Sequence, residues 1–410
     1  MSEPIELSLF RPEFLADPVP FYRRLREEAP VYWSNELGAW LISRHADVKM
    51  LWNDPRATPD QKAWSGDAHL RERASAAPNV MWALDETLLL CHGAKHARLR
   101  RFAHEPFLPG GCGRIARVTE RVVREVLDGF SGRGEIDLLA DYSVPIRIRV
   151  MSRLLGVEPT PEEERFLVAG TNAALGFLEP STDGETIARN DAALKEFRAI
   201  VARIVAQSLR EGAGDSMVAD LRAPDREGDR LSENEVIALV FSFLLAGTEA
   251  NGSLITMGIL TLLEHRQQLA TLRREPGRFA DALKEILRYR SFTKFLPRYI
   301  VRDLDLHGKT LRPGQIALLL FQSAFRDPEA FEAPDVFDVT RKQTNSLAFG
   351  AGPHRCVGER MAEIEGAVAL REFFTRYPGA RRRDAKEDWA KHHMLVAVPR
   401  TIPVIPLMLA

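Results

Sequence analysis

From Ser232 the chain opens a capping box, Ser232-Glu233-Asn234-Glu235, and then stays apolar with few interruptions to about His265. An N-cap serine with a glutamate three residues on marks a helix start, and at 1.5 Å per residue the helix is about 50 Å long. A helix of that length and apolarity belongs in the core of a large, mainly helical body. Its centre, Leu244-Leu245-Ala246-Gly247-Thr248-Glu249-Ala250-Asn251, combines small residues with one carboxylate, and burying a carboxylate is costly without a use. Read alone, Ala246-Gly247 equally fits a close helix–helix contact with Glu249 on the surface.

Most of the remaining sequence also reads as helix. Strand-like patches stand at Val31-Tyr32-Trp33 and Ala39 to Ser43, and Val301 to Gly308 predicts a hairpin with a glycine turn. Thr160-Pro161-Glu162-Glu163 is a second capping box with proline at the first helical position. It predicts a helix over 164–178, followed after a break by another over 185–211. Residues 55–85 lack periodicity and predict a loop with broken helical turns, the kind of segment that walls a buried site. No repeat or long linker divides the 410 residues, so one domain over 1–410 is expected.

A formal net charge of −1 argues against bulk attraction to nucleic acid or an anionic membrane. The three cysteines, Cys91, Cys112 and Cys356, are an odd number without framework spacing, which predicts a reducing compartment. The start, Met1 to Glu6, has neither a basic nor an apolar leader region, and no uninterrupted apolar run reaches the roughly 18 residues of a membrane span. A cytoplasmic, unanchored protein is expected.

The chemistry concentrates at Phe349-Gly350-Ala351-Gly352-Pro353-His354-Arg355-Cys356-Val357-Gly358. Gly350, Gly352 and Gly358 let backbone lie close to a flat ring, and Phe349 can pack beside it. Cys356 precedes an amphipathic run from Glu359 to Tyr377, so helix N-terminal amides favour the ionised sulfur. A bare intracellular cysteine is ordinarily a small buried apolar residue. The spacing F-x-x-G-x-x-x-C-x-G, however, resembles the haem-ligand signature of the cytochromes P-450, the haem-thiolate monooxygenases.

The resemblance extends over nearly the whole chain, from Asp17 to the C-terminus. Glu285 and Arg288 resemble the family's E-x-x-R, with Arg341 as its third member, all structural. His96 and Arg100 resemble its H-x-x-x-R clamp for the haem propionates, and Arg298 and His354 match two further propionate positions. The centre of the long helix resembles the oxygen-activation helix A-G-x-[D/E]-T-T, with a departure: Ala250 replaces the threonine whose hydroxyl helps deliver protons, and Asn251 follows it. Thr248 cannot substitute, because two residues along a helix rotate the side chain by about 200°. Glu249 is then the expected proton donor, with Asn251, ordered water or a substrate hydroxyl in the threonine's place.

What the resemblance implies is a mainly α, triangular single domain with a small β region, holding haem b between the long central helix and the helix after Cys356, its metal ligand. It implies insertion of one oxygen atom from O2 into an apolar small molecule. Electrons would come from a separate ferredoxin and ferredoxin reductase, docked at Arg101, Arg355 and Arg360; the sequence has no flavin or nicotinamide fingerprint. By carry-over, Met81, Trp82, Phe243, Leu244, Phe292, Thr293, Phe295, Met394 and Leu395 would meet the substrate, with Lys294 more readily solvated or facing a propionate, and the helices over 161–211 would form a lid. Peroxide-driven or rearrangement chemistry is the competing reading, and a haem sensor or electron carrier the alternative from another class.

Overall fold

The computed structural model describes residues 14, 17–88, 90–176, 184–210, 214–342, 346–383 and 401–407. The capping box forms as expected: the Ser232 hydroxyl accepts from the Glu235 amide at 3.3 Å, and the Glu235 carboxylate accepts from the Ser232 amide at 2.8 Å. Arg98 pairs with both Glu235 and Asp229 beside this helix start. The helix then runs as Glu233–Glu264, 32 residues. It is long and apolar enough to cross a membrane by composition, but 81% of its most apolar window is buried inside the protein.

Contacts divide the chain into two compact units, one taking its described residues from Met1–Arg71 and Lys284–Arg355, the other from Glu72–Leu283, Cys356–Lys386 and Thr401–Ala410. The second unit is built around the central helix. Helix Val144–Leu154 crosses it so closely that a Cβ on Gly247 would lie 3.1 Å from Met151 Cε, and Thr256 donates to Ser143 at 2.7 Å. Helix Glu359–Arg376 packs on the same helix, with Gly366 placed against Leu254 and Leu283. Helices Pro161–Gly176 and Gly184–Arg210 pair with each other, because Gly170 leaves room for the Phe197 ring, which in turn stacks on Phe241 of the central helix at 4.5 Å. Thr160 and Glu163 make the expected reciprocal cap. A three-stranded antiparallel sheet completes this unit in the order Ile136–Asp137, Pro403–Ile405, Arg381–Arg382.

The first unit holds a five-stranded sheet in the order Val31–Ser34, Ala39–Ile42, Ile316–Leu319, Leu296–Ile300, Ala57–Thr58. Three of its pairings are antiparallel; Ala39–Ile42 runs parallel to Ile316–Leu319, in register Ala39 with Ile316. The predicted hairpin is Leu304–Leu306 with Lys309–Leu311, turned by His307 and Gly308, both in the left-handed region. Residues 55–85 are more ordered than a loop, with helices Asp67–Ala74 and Pro78–Glu86.

Glu285 and Arg288 are 1% exposed and bidentate, at 2.8 Å for each oxygen. Arg288 also donates to the carbonyls of Phe325, Pro334 and Val336, while Glu285 accepts from Asp338 N and from Arg341. The pair therefore ties helix Phe279–Tyr289 to the irregular segment over 325–341. Charges so deeply buried persist only when every donor and acceptor is met.

Candidate active site

The cysteine loop turns where Gly350 donates to the Leu347 carbonyl at 2.9 Å, and Gly350 and Gly352 adopt φ of +69° and +63°. Only glycine enters that region freely. A short turn over Gly352–His354 follows, and Gly358 begins helix Glu359–Arg376 as its N-cap, with nothing within 4 Å of where its Cβ would be. Phe349 and His354 are half-buried, and Cys356 is exposed just before the first turn. The other two cysteines differ: Cys91 is buried, which pushes its thiol up, and the half-buried Cys112 points its Sγ at the Phe107 carbonyl at 3.6 Å.

The residues expected to meet the propionates differ in burial and charge. Arg298 is 4% exposed; burial pulls its guanidinium down to about 10, and its Nε has no hydrogen-bond partner among the described residues. A buried guanidinium with an unmet nitrogen calls for an anion. His96 is also buried, and desolvation, with Arg100 and His92 nearby, brings it down to about 4, so that it is neutral near pH 7. Burial lowers Arg100 while the nearby Cys356 opposes that shift, and Arg100 Nε donates to His104 at 3.1 Å. An arginine beside the Cys356 thiol in one unit, and left-handed glycines with a buried arginine of unmet Nε in the other, are each chemistry of the kind that a haem with two propionates takes.

Between Val236 and Leu263 every described side chain of the central helix is buried except Ala246, Gly247 and Ala250. Positions 246 and 250 share one helical face, so the helix is open where the resemblance puts oxygen activation. The Thr248 and Glu249 side chains lie outside the described residues. Asn251 is buried and donates to Glu365 at 3.1 Å. It is thus committed to an acid on the neighbouring helix and does not take the threonine's place on the open face.

Glu365 is the residue that the motifs did not reveal. It is fully buried, and its Oε1 has no hydrogen-bond partner among the described residues. Arg147 acts on it by charge and lies against Gly252, where an added Cβ would come within 2.9 Å of its Nη1. Its neighbours at one turn either side, Met361, Ala362, Val368 and Ala369, are apolar, which marks a carboxylate on a buried stripe. Burial pushes the Glu365 carboxyl up from 4.5 to about 7, although the Asn251 hydrogen bond and Arg147 pull the other way. Between those values the folded protein binds more protons than the unfolded chain. Stability is therefore fullest below the ordinary carboxylate range, falls as pH rises toward 7 and stays reduced above it. Glu365→Gln removes this dependence while keeping an acceptor for Asn251. The stability difference between the two proteins should shift by on the order of 3 kcal/mol between about pH 4 and about pH 8, measured by urea unfolding at successive pH values. A pH-independent difference would show that Glu365 ionises normally.

The expected wall and docking residues differ in burial and in their partners. Met81 and Trp82 are half-buried; Trp82 meets Phe241 edge-on at 5.1 Å and carries Arg198 over its face at 4.2 Å. Phe243 packs on Phe107 at 5.4 Å and Leu244 is fully buried, both as core contacts. Phe292 and Thr293 are half-buried. Phe295 is a correction: it is 1% exposed in the cluster with Tyr22, Leu25, Leu41 and Leu318, so the sheet's core takes it. Lys294 is buried and not solvated. Met394 and Leu395 lie outside the described residues. Arg101, expected to dock a redox partner, is held by Asp225 at 3.2 Å, with Asp229 and Glu227 at 3.6 and 3.8 Å. That acidic loop cancels its charge. Arg360 pairs with Glu363 at 3.2 Å.

Comparison with known proteins bears on the family. A family match described as cytochrome P-450 covers residues 177–403. An epothilone C/D epoxidase of Sorangium cellulosum is 33% identical over 373 residues, covering 90% of this chain and 88% of that protein. A 6-deoxyerythronolide B hydroxylase of Saccharopolyspora erythraea is 30% identical over 361 residues, covering 87% of this chain and 88% of that one. The solved structure of epothilone B-bound cytochrome P-450epoK matches with a TM-score of 0.89 at 28% identity, covering 98% of this chain and 100% of that one. With a mainly helical fold and relatives that epoxidise and hydroxylate, the chain belongs to the cytochrome P-450 family of haem monooxygenases.

Proposed function

We propose that this protein, as one domain over 1–410, uses haem b and O2 to place one oxygen atom on an apolar small molecule, by hydroxylation or epoxidation, in the cytoplasm. The observation that carries the reading is the exposed Cys356 at the start of helix Glu359–Arg376, beside Arg100. Haem supplies dioxygen reduction and oxygen transfer when bound. Cys356 would hold its iron, Phe349, Gly350 and Gly358 would line the ring, and His96, Arg100, Arg298 and His354 would meet the propionates. Glu249 would deliver the proton in place of a threonine relay, with the buried Glu365, held by the Asn251 amide, as a second acid. Met81, Trp82, Phe292 and Thr293, all half-buried, are the described residues best suited to touch substrate.

Electrons would come from a ferredoxin and its reductase on separate chains. Arg101, Arg355 and Arg360, all exposed, would be the docking cations, with Arg101 and Arg360 having to exchange their own acids, Asp225 and Glu363, for those of the partner. The Ala250 substitution favours a second reading, peroxide-driven or non-monooxygenase chemistry on the same scaffold. Product formed with peroxide alone, and none with the reductase pair, would select it.

The names of the two relatives point to epothilones and 6-deoxyerythronolide B as what those enzymes oxidise. These two compounds therefore lead a spin-state titration of the ferric protein, followed by steroids, terpenoids, fatty acids and small aromatics. Saturable conversion to high spin by one class is the expected result and names the substrate family. No response from any class, in protein shown to hold haem, would overturn the free apolar substrate.

A further inference from the structure

Trp52 belongs to no motif, yet it touches two parts of the haem-side machinery within one compact unit. It lies near the end of helix His45–Asn53 and is half-buried against the apolar cluster containing Leu51, Phe321 and Leu347. Its ring meets Phe321 edge-on at 5.4 Å, which fixes the plane of the indole. The Arg298 guanidinium lies over its face, with Cζ 3.7 Å from the ring centroid. Its Nε1 donates to the Ala351 carbonyl at 2.9 Å, five residues before Cys356. The same ring abuts Gly350: a Cβ there would fall 2.9 Å from Trp52 Cζ2.

We propose that Trp52 is a positioning residue that couples the Arg298 guanidinium to the backbone of the cysteine loop, so that one rigid side chain sets both the propionate-side cation and the path of the chain into Cys356. The inference rests on the haem–thiolate reading above. Apart from Trp52, Arg298 has a single described hydrogen bond, from Nη1 to the Pro297 carbonyl at 3.0 Å, and its Nε is unmet among the described residues. The indole face is therefore what orients a cation that would otherwise choose among rotamers. Cation–π contact of this kind is strongest for tryptophan and grows with desolvation, and Arg298 is 4% exposed. On the loop side, Gly350 and Gly352 both adopt left-handed φ, and Ala351 between them has only a methyl group to pin it. The Ala351 carbonyl, held by the indole N–H, is the fixed point between two permissive residues. Phenylalanine keeps a ring face but has no N–H; leucine has neither.

The two functions can be separated in the haem-loaded protein. Trp52→Phe should leave haem retention close to wild type. Its reduced, CO-bound form should decay from the thiolate-type absorption band to the thiol-type band roughly fivefold faster, the scale of one lost hydrogen bond. Trp52→Leu should show the same decay and in addition release haem to apomyoglobin about tenfold faster. Val48→Ala, one turn earlier on the same helix and fully buried in the same cluster, loosens the packing without touching Arg298 or the loop. It should leave both the band and the release rate at wild-type values. Unchanged decay and release in both Trp52 variants would overturn the proposal, as would equal changes in Val48→Ala, which would reduce Trp52 to packing. A wild-type protein lacking the thiolate-type band would instead sink the haem–thiolate reading itself.

Discussion

Cys356→Ser is expected to lower product formation by roughly a thousandfold, the scale on which loss of a single group at a reacting centre registers. Serine preserves size and the turn, so the haem contacts proposed for His96, Arg100 and Arg298 should persist, and protein should still purify with haem. What is lost is the soft, electron-donating sulfur, since an alcohol does not ionise near neutral pH. The reduced, CO-bound variant should show no thiolate-type band. Neither remaining cysteine can replace the ligand. Cys91 is buried with its thiol pushed up by desolvation, and Cys112 has its Sγ engaged with the Phe107 carbonyl inside helix Pro109–Asp128. A serine variant with the wild-type band and rate would place the ligand elsewhere and dissolve the assignment of the loop.

The loop was legible because its meaning is local: glycines at fixed offsets, a cysteine and a helix start are all read within ten residues. The central helix was legible for a similar reason, since a capping box and an unbroken apolar run need no partner to be recognised. The parallel pairing of Ala39–Ile42 with Ile316–Leu319 was not, because strand pairing at that separation is decided by packing and leaves no local trace. Glu365 and Arg147 stayed hidden for another reason. A charged residue in an amphipathic run is ordinarily solvated, and only its apolar neighbours a turn away hint otherwise. Phe295 erred in the opposite direction, as an aromatic near an expected pocket that the sheet's own core took. Trp52 had no signal at all, because its partners Arg298 and Ala351 are distant in sequence.

Arg288→Lys is expected to cost about 3–5 kcal/mol, because an ammonium lacks the planar fork and leaves two or more of the buried acceptors that Arg288 serves unmet, each costing about 1–3 kcal/mol. That is a large fraction of the roughly 5–15 kcal/mol that holds a typical protein folded. The usual remedy for a broken buried pair is to remove both charges, yet here it should fail. Arg288 serves the carbonyls of Phe325, Pro334 and Val336 as well as Glu285, and Glu285 accepts from Asp338 N and Arg341 besides Arg288. A double apolar replacement would take away the partner of the Phe325 and Pro334 carbonyls and of the Asp338 amide, each buried orphan costing about 1–3 kcal/mol, while Arg341 keeps its bonds to the Glu332, Ala333 and Val336 carbonyls. Lysine carries the charge but not the planar fork, so it can meet the carboxylate or the carbonyls and not both. The expected outcome is low soluble yield and a urea midpoint well below wild type for Arg288→Lys, with no recovery in Glu285→Leu/Arg288→Leu. Recovery in the double variant would show that the ion pair acts only as a pair, and that the segment over 325–341 is held in place by contacts other than these hydrogen bonds.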